Sequence, residues 1–149
     1  MAATLLRHHD TLERIRRDRS LIPRAVEEIL RFALGGPAGL PRYALCDFTL
    51  RGQQIRKGEM LMLSFGGANR DPAVFEHPDV FDIARDASEH VVFGGGAHFC
   101  LGANLARQEL ACMLDGLLGI LTPGSKLRDR TRSPRLGLLG GGELAIEIA

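Results

Sequence analysis

Cys100 stands in the run Phe93-Gly94-Gly95-Gly96-Ala97-His98-Phe99-Cys100-Leu101-Gly102. The thiolate, rather than the thiol, is the metal ligand and nucleophile, and a helix N-terminus favours the anion. A helical pattern starts at Leu101, so the Cys100 sulfur falls beside such a terminus. Gly94, Gly95, Gly96 and Gly102 let the backbone approach a flat ligand and turn N–H groups toward the sulfur. Phe93 and Phe99 would keep water off the site. A lone cysteine is more often a small buried hydrophobe, and it is the ten-residue context that points to chemistry here. His98-x-Cys100 has the look of a zinc pair, yet no further Cys or His pair completes four ligands. The glycine run is not a phosphate loop, because no Lys-Ser/Thr follows it. No Ser-His-Asp arrangement can be singled out.

Two further groups could carry charge chemistry. Glu28 and Arg31 in Glu28-Ile29-Leu30-Arg31 share a helix face at i,i+3, and Glu27 competes for Arg31 at i,i+4. An exposed pair of that kind contributes well under about 1 kcal/mol. Arg42, in Leu40-Pro41-Arg42-Tyr43-Ala44, reads as an exposed strand-edge arginine whose fork suits a carboxylate.

The elements that must position these residues are legible in outline. Residues 10–18 have helical spacing of Leu12 and Ile15 among Arg and Glu. A helix over 23–34 opens on Pro23, carries Val26, Ile29, Leu30 and Ala33 as its apolar stripe, and stops at Gly35-Gly36-Pro37. Residues 38–64 read as β structure, with strands at 43–45, 48–50 and 60–63 and turns at Arg51-Gly52 and Lys57-Gly58. A short helix over 65–70 ends at Asp71-Pro72. Residues 73–89 are irregular, a length that in a compact domain suggests a functional loop. The strongest helix runs over 101–118 and is stopped by Pro123-Gly124. The tail holds a basic stretch over 126–135 and a hairpin made of 136–139, Gly140-Gly141-Gly142 and 144–148.

The 149 residues, with 45% hydrophobic and 25% charged, suit one ordinary globular domain. A net charge of +1 gives no reason to expect a nucleic acid or an anionic membrane as partner. No apolar run reaches the roughly 20 residues of a membrane span. Cys46, Cys100 and Cys112 are an odd set that does not suggest a disulfide framework, so a cytoplasmic location is expected.

Phe93-x-x-Gly96-x-His98-x-Cys100-x-Gly102, followed by Leu101-Gly102-Ala103-Asn104-Leu105-Ala106-Arg107-x-Glu109, resembles the haem-binding signature of bacterial members of the cytochrome P-450 family. The resemblance implies haem b (iron protoporphyrin IX), with Cys100 as the axial thiolate to iron. A thiolate pushes electron density to the iron and favours O–O cleavage. The resemblance also implies that Phe93, Gly94, Gly96 and Gly102 line the cofactor and that His98 and Arg42 bind its propionates. Asp47, Gly52, Ile55 and Gly58 follow Arg42 at the family's spacing. The segment 25–31 resembles the helix carrying the family's Glu-x-x-Arg, with Arg85, in the segment 78–85, as third partner. Glu28, Arg31 and Arg85 would then form a buried triad locking the irregular loop onto the core. Ala68-Asn69-Arg70-Asp71-Pro72 matches the family as a structural turn.

The implied fold is α+β, mainly α, with short antiparallel strands, and the implied organisation is a single partial domain over residues 1–149. The implied activity is haem-thiolate monooxygenation: one atom of O₂ enters a small organic substrate, with electrons from a ferredoxin or flavin reductase. The resemblance covers only about the C-terminal third of the family's fold. Residues 1–9 resemble the segment after the long distal helix, and no distal acid–threonine pair is present, Thr4 lying too near the start. The expectation is a haem-binding region missing an N-terminal part and inactive alone, with an exposed apolar face prone to association. The alternatives are a non-catalytic haem-binding module and a non-functional gene fragment. The face around the Cys loop, with Arg107 nearby, would suit an acidic electron donor.

Overall fold

The computed structural model describes residues 1–33, 39–128 and 145–148. Helix α1 (Ala2–Arg7) and helix α2 (His9–Arg17) meet at His8, whose ring nitrogen Nδ1 contacts the Thr4 carbonyl at 2.8 Å. A 3₁₀ turn over Arg19–Leu21 leads into α3 (Ile22–Ala33), with Pro23 in its first turn, where a missing N–H costs nothing. Asp18 caps the 3₁₀ turn by accepting the Ser20 N–H and Oγ–H. The short α4 (Phe65–Ala68) is capped by Ser64, whose Oγ accepts the Gly67 N–H. The longest helix, α5 (Ala103–Ile120), begins just after the Cys loop.

The core lies between these helices. Leu5 and Leu6 from α1, Leu12 and Ile15 from α2, Ala25, Val26, Ile29 and Leu30 from α3, and Leu114 and Leu118 from α5 form one cluster. Phe81 and Ile83 reach it from the irregular segment, so that segment is anchored by apolar burial as well as by polar bonds.

Among the described residues, three two-stranded antiparallel sheets complete the fold. Strand β1 (Leu40–Tyr43) pairs with β4 (Met60–Leu63) in the register Arg42 opposite Leu61. Strand β2 (Phe48–Leu50) pairs with β3 (Gln53–Ile55) through a two-residue turn, and Arg51 (φ 48°) and Gly52 (φ 81°) both lie in the left-handed region such a turn needs. Gly58 (φ 86°) turns the chain from β3 to β4 while its N–H donates to Ala44 O, and Asp47 accepts the Lys57 N–H at 2.7 Å. Gly58→Ala is expected to cost about 1 kcal/mol. A Cβ there meets nothing within 4 Å, so the cost is backbone strain alone, read as a lower urea midpoint.

The architecture is α+β with helices dominant. Among the described residues four strands and helices differ from the sequence reading, one of them a strand over Lys126–Arg128, where the sequence reads as a basic stretch. Helix α1 is additional, built on the Leu5 and Leu6 pair. Strand β1 covers Leu40–Tyr43 rather than 43–45, since Ala44 makes the last bridging bond, its N–H donating to Glu59 O. Strand β3 is additional, because Gln53 and Gln54 carry no alternating apolar signal. At the end of the chain β6 (Ala145–Glu147) pairs with β5 (Lys126–Arg128). The expected first arm over 136–139, its glycine turn and the Gly35-Gly36-Pro37 stop lie outside the described residues. Among the described residues no helix is long and apolar enough to cross a membrane.

Candidate functional site

The Cys loop is closed by its own backbone. Cys100 N–H donates to Phe93 O at 2.9 Å, Gly94 N–H to Val91 O, Phe99 N–H to Gly96 O, and Ala103 N–H to Cys100 O. Gly94 (φ 73°) and Gly96 (φ 65°) occupy the left-handed region, which side-chain-bearing residues enter at a cost. The path brings Phe93, Gly94, Gly96 and Cys100 into one turn immediately before α5. Cys100 is exposed, two residues ahead of the Gly102 that starts the helix. A Cβ on Gly102 would stand 4.0 Å from Cys100 Sγ, in ordinary contact. Leu101 is fully exposed, and Phe99 and Leu105 are largely so. An exposed thiol therefore stands among exposed apolar side chains.

His98 closes the 3₁₀ turn Gly96–His98 and makes no side-chain hydrogen bond within the described residues. Arg42 is exposed on β1, and among the described residues its guanidinium donates only to the neighbouring Pro41 O, at 2.9 Å. No hydrogen bond joins Arg42 to the Cys loop among the described residues. Cys46 and Cys112 are exposed and outside the loop. No group of three or more His, Cys, Asp or Glu side chains is placed to share a metal ion among the described residues.

Glu28 and Arg31 are both fully buried. Arg31 Nε and Nη2 fork onto the two Glu28 oxygens at 2.7 and 2.8 Å. The rest of the guanidinium serves the irregular segment, donating to the carbonyls of Asn69 (2.8 Å), Pro78 (2.8 Å) and Val80 (3.2 Å). Glu28 also accepts the Asp82 N–H at 2.9 Å. Arg85 approaches Glu28 only at 3.7 Å and spends its hydrogen bonds on the carbonyls of Glu76, His77 and Val80. The pair at the centre is thus direct, and Arg85 is a flanking charge that staples the loop to itself. Asn69 is a further link that its place in a turn motif did not reveal. Its carbonyl meets Arg31, and its side-chain oxygen accepts the Val91 N–H at the root of the Cys loop.

Glu27 faces the other way, toward α5. It pairs with Arg107 rather than with Arg31, and with His90 at 3.1 Å. The hydrogen bonds from Arg107 to Glu27 hold the guanidinium pKa above its ordinary value, against the partial burial that would lower it. Arg107 is therefore committed to an internal partner, Glu27.

The family model described as Cytochrome P-450 matches residues 4–120. The mycinamicin IV hydroxylase/epoxidase of Micromonospora griseorubida is 51% identical over 108 residues, covering 72% of this chain and 27% of that enzyme. The solved structure of P450BioI in complex with hexadec-9Z-enoic acid ligated acyl carrier protein superposes with a TM-score of 0.86 at 39% identity, covering 99% of this chain and 38% of that one. The LnmA hydroxylase of Streptomyces atroolivaceus superposes with a TM-score of 0.75 at 47% identity, covering 85% and 32%. The chain spans about a quarter to a third of the length of the curated relatives it matches, from 26% to 35%. Matched by the family model over most of its length, and similar at up to half identity to bacterial relatives, this chain belongs to the cytochrome P-450 family.

Proposed function

We propose that residues 1–149 act as one unit, the haem-ligand region of a haem-thiolate monooxygenase, with Cys100 as the axial ligand of haem b. The observation that carries this is the exposed Cys100 thiol on a backbone-closed glycine turn, with Phe99, Leu101 and Leu105, close by in the chain, also exposed. The donor set fits the group: one soft anionic ligand within an apolar surface suits the iron of a flat, largely apolar macrocycle. When bound, the haem supplies the one-electron and oxygen chemistry that no side chain of this chain can supply.

The chain's own residues hold and shield. Cys100 binds iron through Sγ, and the Phe93–Cys100 hydrogen bond fixes the loop from which that sulfur projects. Gly94 and Gly96 keep the turn free of side chains so that the ring can lie close. Arg42 and His98 bind the propionates, for which their exposure suits them, Arg42 holding only its neighbour Pro41 O among the described residues. Glu28, Arg31 and Arg85 tie residues 69–85 to α3 and so support the loop from behind. The activity is insertion of one oxygen atom into a small organic substrate, with electrons from a ferredoxin or flavin reductase. The family relation supports this at the level of the whole enzyme.

The test is the carbon monoxide difference spectrum of the reduced, haem-reconstituted chain beside Cys100→Ser. A red-shifted Soret band in the parent that is lost in the variant is expected. A band of equal position and intensity in both would remove Cys100 as the ligand, and no band in either would sink the haem-ligand reading for this chain.

A further inference from the structure

Glu27 and Glu28 are adjacent on α3 and serve opposite sides of the molecule. The Glu27 side chain is assigned no part by the ligand loop or by the Glu28–Arg31 pair. Its carboxylate takes Arg107 Nε on Oε1 at 2.6 Å and Arg107 Nη2 on Oε2 at 3.1 Å, a forked contact between α3 and α5. His90 Nε2 meets the same Oε2 at 3.1 Å, and the His90 side chain is 1% exposed. The Arg107 guanidinium lies 4.7 Å from the centroid of the Phe93 ring, within the range of a cation–π contact. The His90 ring packs on Phe93 at 5.7 Å. Phe93 in turn supplies the carbonyl that accepts the Cys100 N–H.

We propose that Arg107, clamped by Glu27, is a positioning residue for Cys100, holding the Phe93 ring so that the Phe93 carbonyl keeps the Cys100 backbone in place. The fork fixes the plane of the guanidinium, and the fixed plane sets where the Phe93 ring can lie. A lysine at 107 could reach Glu27 but could present neither the fork nor the flat face. The inference rests on the haem-ligand reading only for what Cys100 binds. The chain of contacts from Glu27 to Cys100 is a property of the protein alone.

The test is amide hydrogen exchange, residue by residue, on the 149-residue chain and on Arg107→Gln, Glu27→Gln, Phe93→Leu and Phe93→Leu/Arg107→Gln. The Cys100 amide is expected to exchange about tenfold faster in Arg107→Gln and in Glu27→Gln, as its local opening becomes easier. The amides of Ile29 and Leu114 in the core should change far less. In the Phe93→Leu background, Arg107→Gln should add less than about a twofold further change, because the link it acts through is gone. Equal acceleration of Cys100, Ile29 and Leu114 would show an ordinary helix–helix ion pair and overturn the proposal. So would an unchanged Cys100 amide, or an Arg107→Gln effect undiminished by Phe93→Leu. Haem titration of the parent chain, followed by its Soret band, separates this from the preceding reading. Local exchange effects in a chain that binds no haem would support the clamp and remove the haem assignment.

Discussion

Arg31→Ala is expected to cost the chain about 3–5 kcal/mol of stability, read as a fall in the urea midpoint with far-UV circular dichroism. Against the 5–15 kcal/mol typical of a domain, that is about a fifth of the total or more. The size follows from burial. Glu28 and Arg31 are both 0% exposed, so removing the guanidinium leaves a carboxylate in the interior with the Asp82 N–H and, at 3.7 Å, Arg85 for compensation. It also removes the donor from the carbonyls of Asn69 and Pro78 and leaves Val80 with the longer bond from Arg85. A surface pair supplies the contrast. Arg19 and Asp115 also form an ion pair, but their side chains are 45% and 62% exposed, and Asp115→Ala should stay within about 1 kcal/mol of the parent. Equal losses in the two variants would show that the buried pair is not the anchor of the irregular segment. Arg31→Lys should recover little of the loss, because a single ammonium cannot fork onto Glu28 and reach three carbonyls at once.

Leu114→Ala carries the second large effect, about 2–5 kcal/mol, from lost burial plus the cavity left where α5 packs into the core. Leu114 is 0% exposed, whereas Leu105 on the same helix is 65% exposed. Leu105→Ala is therefore expected to leave the unfolding midpoint of the free chain nearly unchanged. Its effect should emerge only when something covers that face, such as bound haem, as weaker cofactor retention. Urea unfolding of the two variants, followed by haem titration of the folded one, checks both halves. A Leu105→Ala loss as large as that of Leu114→Ala would show that the outer face of α5 is already packed.

The sequence reading succeeded where a local signal was strong and failed where partners are far apart. The spacing of Leu12 and Ile15, the stripe on α3 and the length of α5 are all local, and each marks a helix that is present. Helix α1 is only six residues long and has no capping side chain or charged first turn, so it offers little to read. Strand β3 is polar and exists because a tight turn returns it to β2. The ambiguity between Glu27 and Glu28 could not be settled along one helix, since both spacings permit a pair with Arg31. What decides it is Arg107, 80 residues away, which takes Glu27 and leaves Glu28 to Arg31. The same holds for Asn69, whose side chain reaches Val91 across 22 residues. The motif around Cys100 was legible as a motif. The contacts from Glu27 through Arg107 to Phe93 were not, because nothing in their spacing marks them.

The bonds made by Arg31 also govern the order of events in folding. The segment over 69–85 has no ladder or long helix of its own and takes its order from the burial of Phe81 and Ile83 and from a guanidinium 38 to 49 residues upstream. Loop-closure entropy must be met before any of those carbonyls finds its donor, whereas α2 and α3, adjacent in the chain, can gather first. The irregular segment is thus a late arrival in folding and an early departure in opening. Substitutions within it should act mainly on the unfolding rate, while those in the stripe of α3 slow folding itself. Asn69 belongs to that segment and holds Val91, so the Cys loop inherits the same lifetime: it remains set for as long as Arg31 keeps its grip on a stretch of chain with no regular structure of its own.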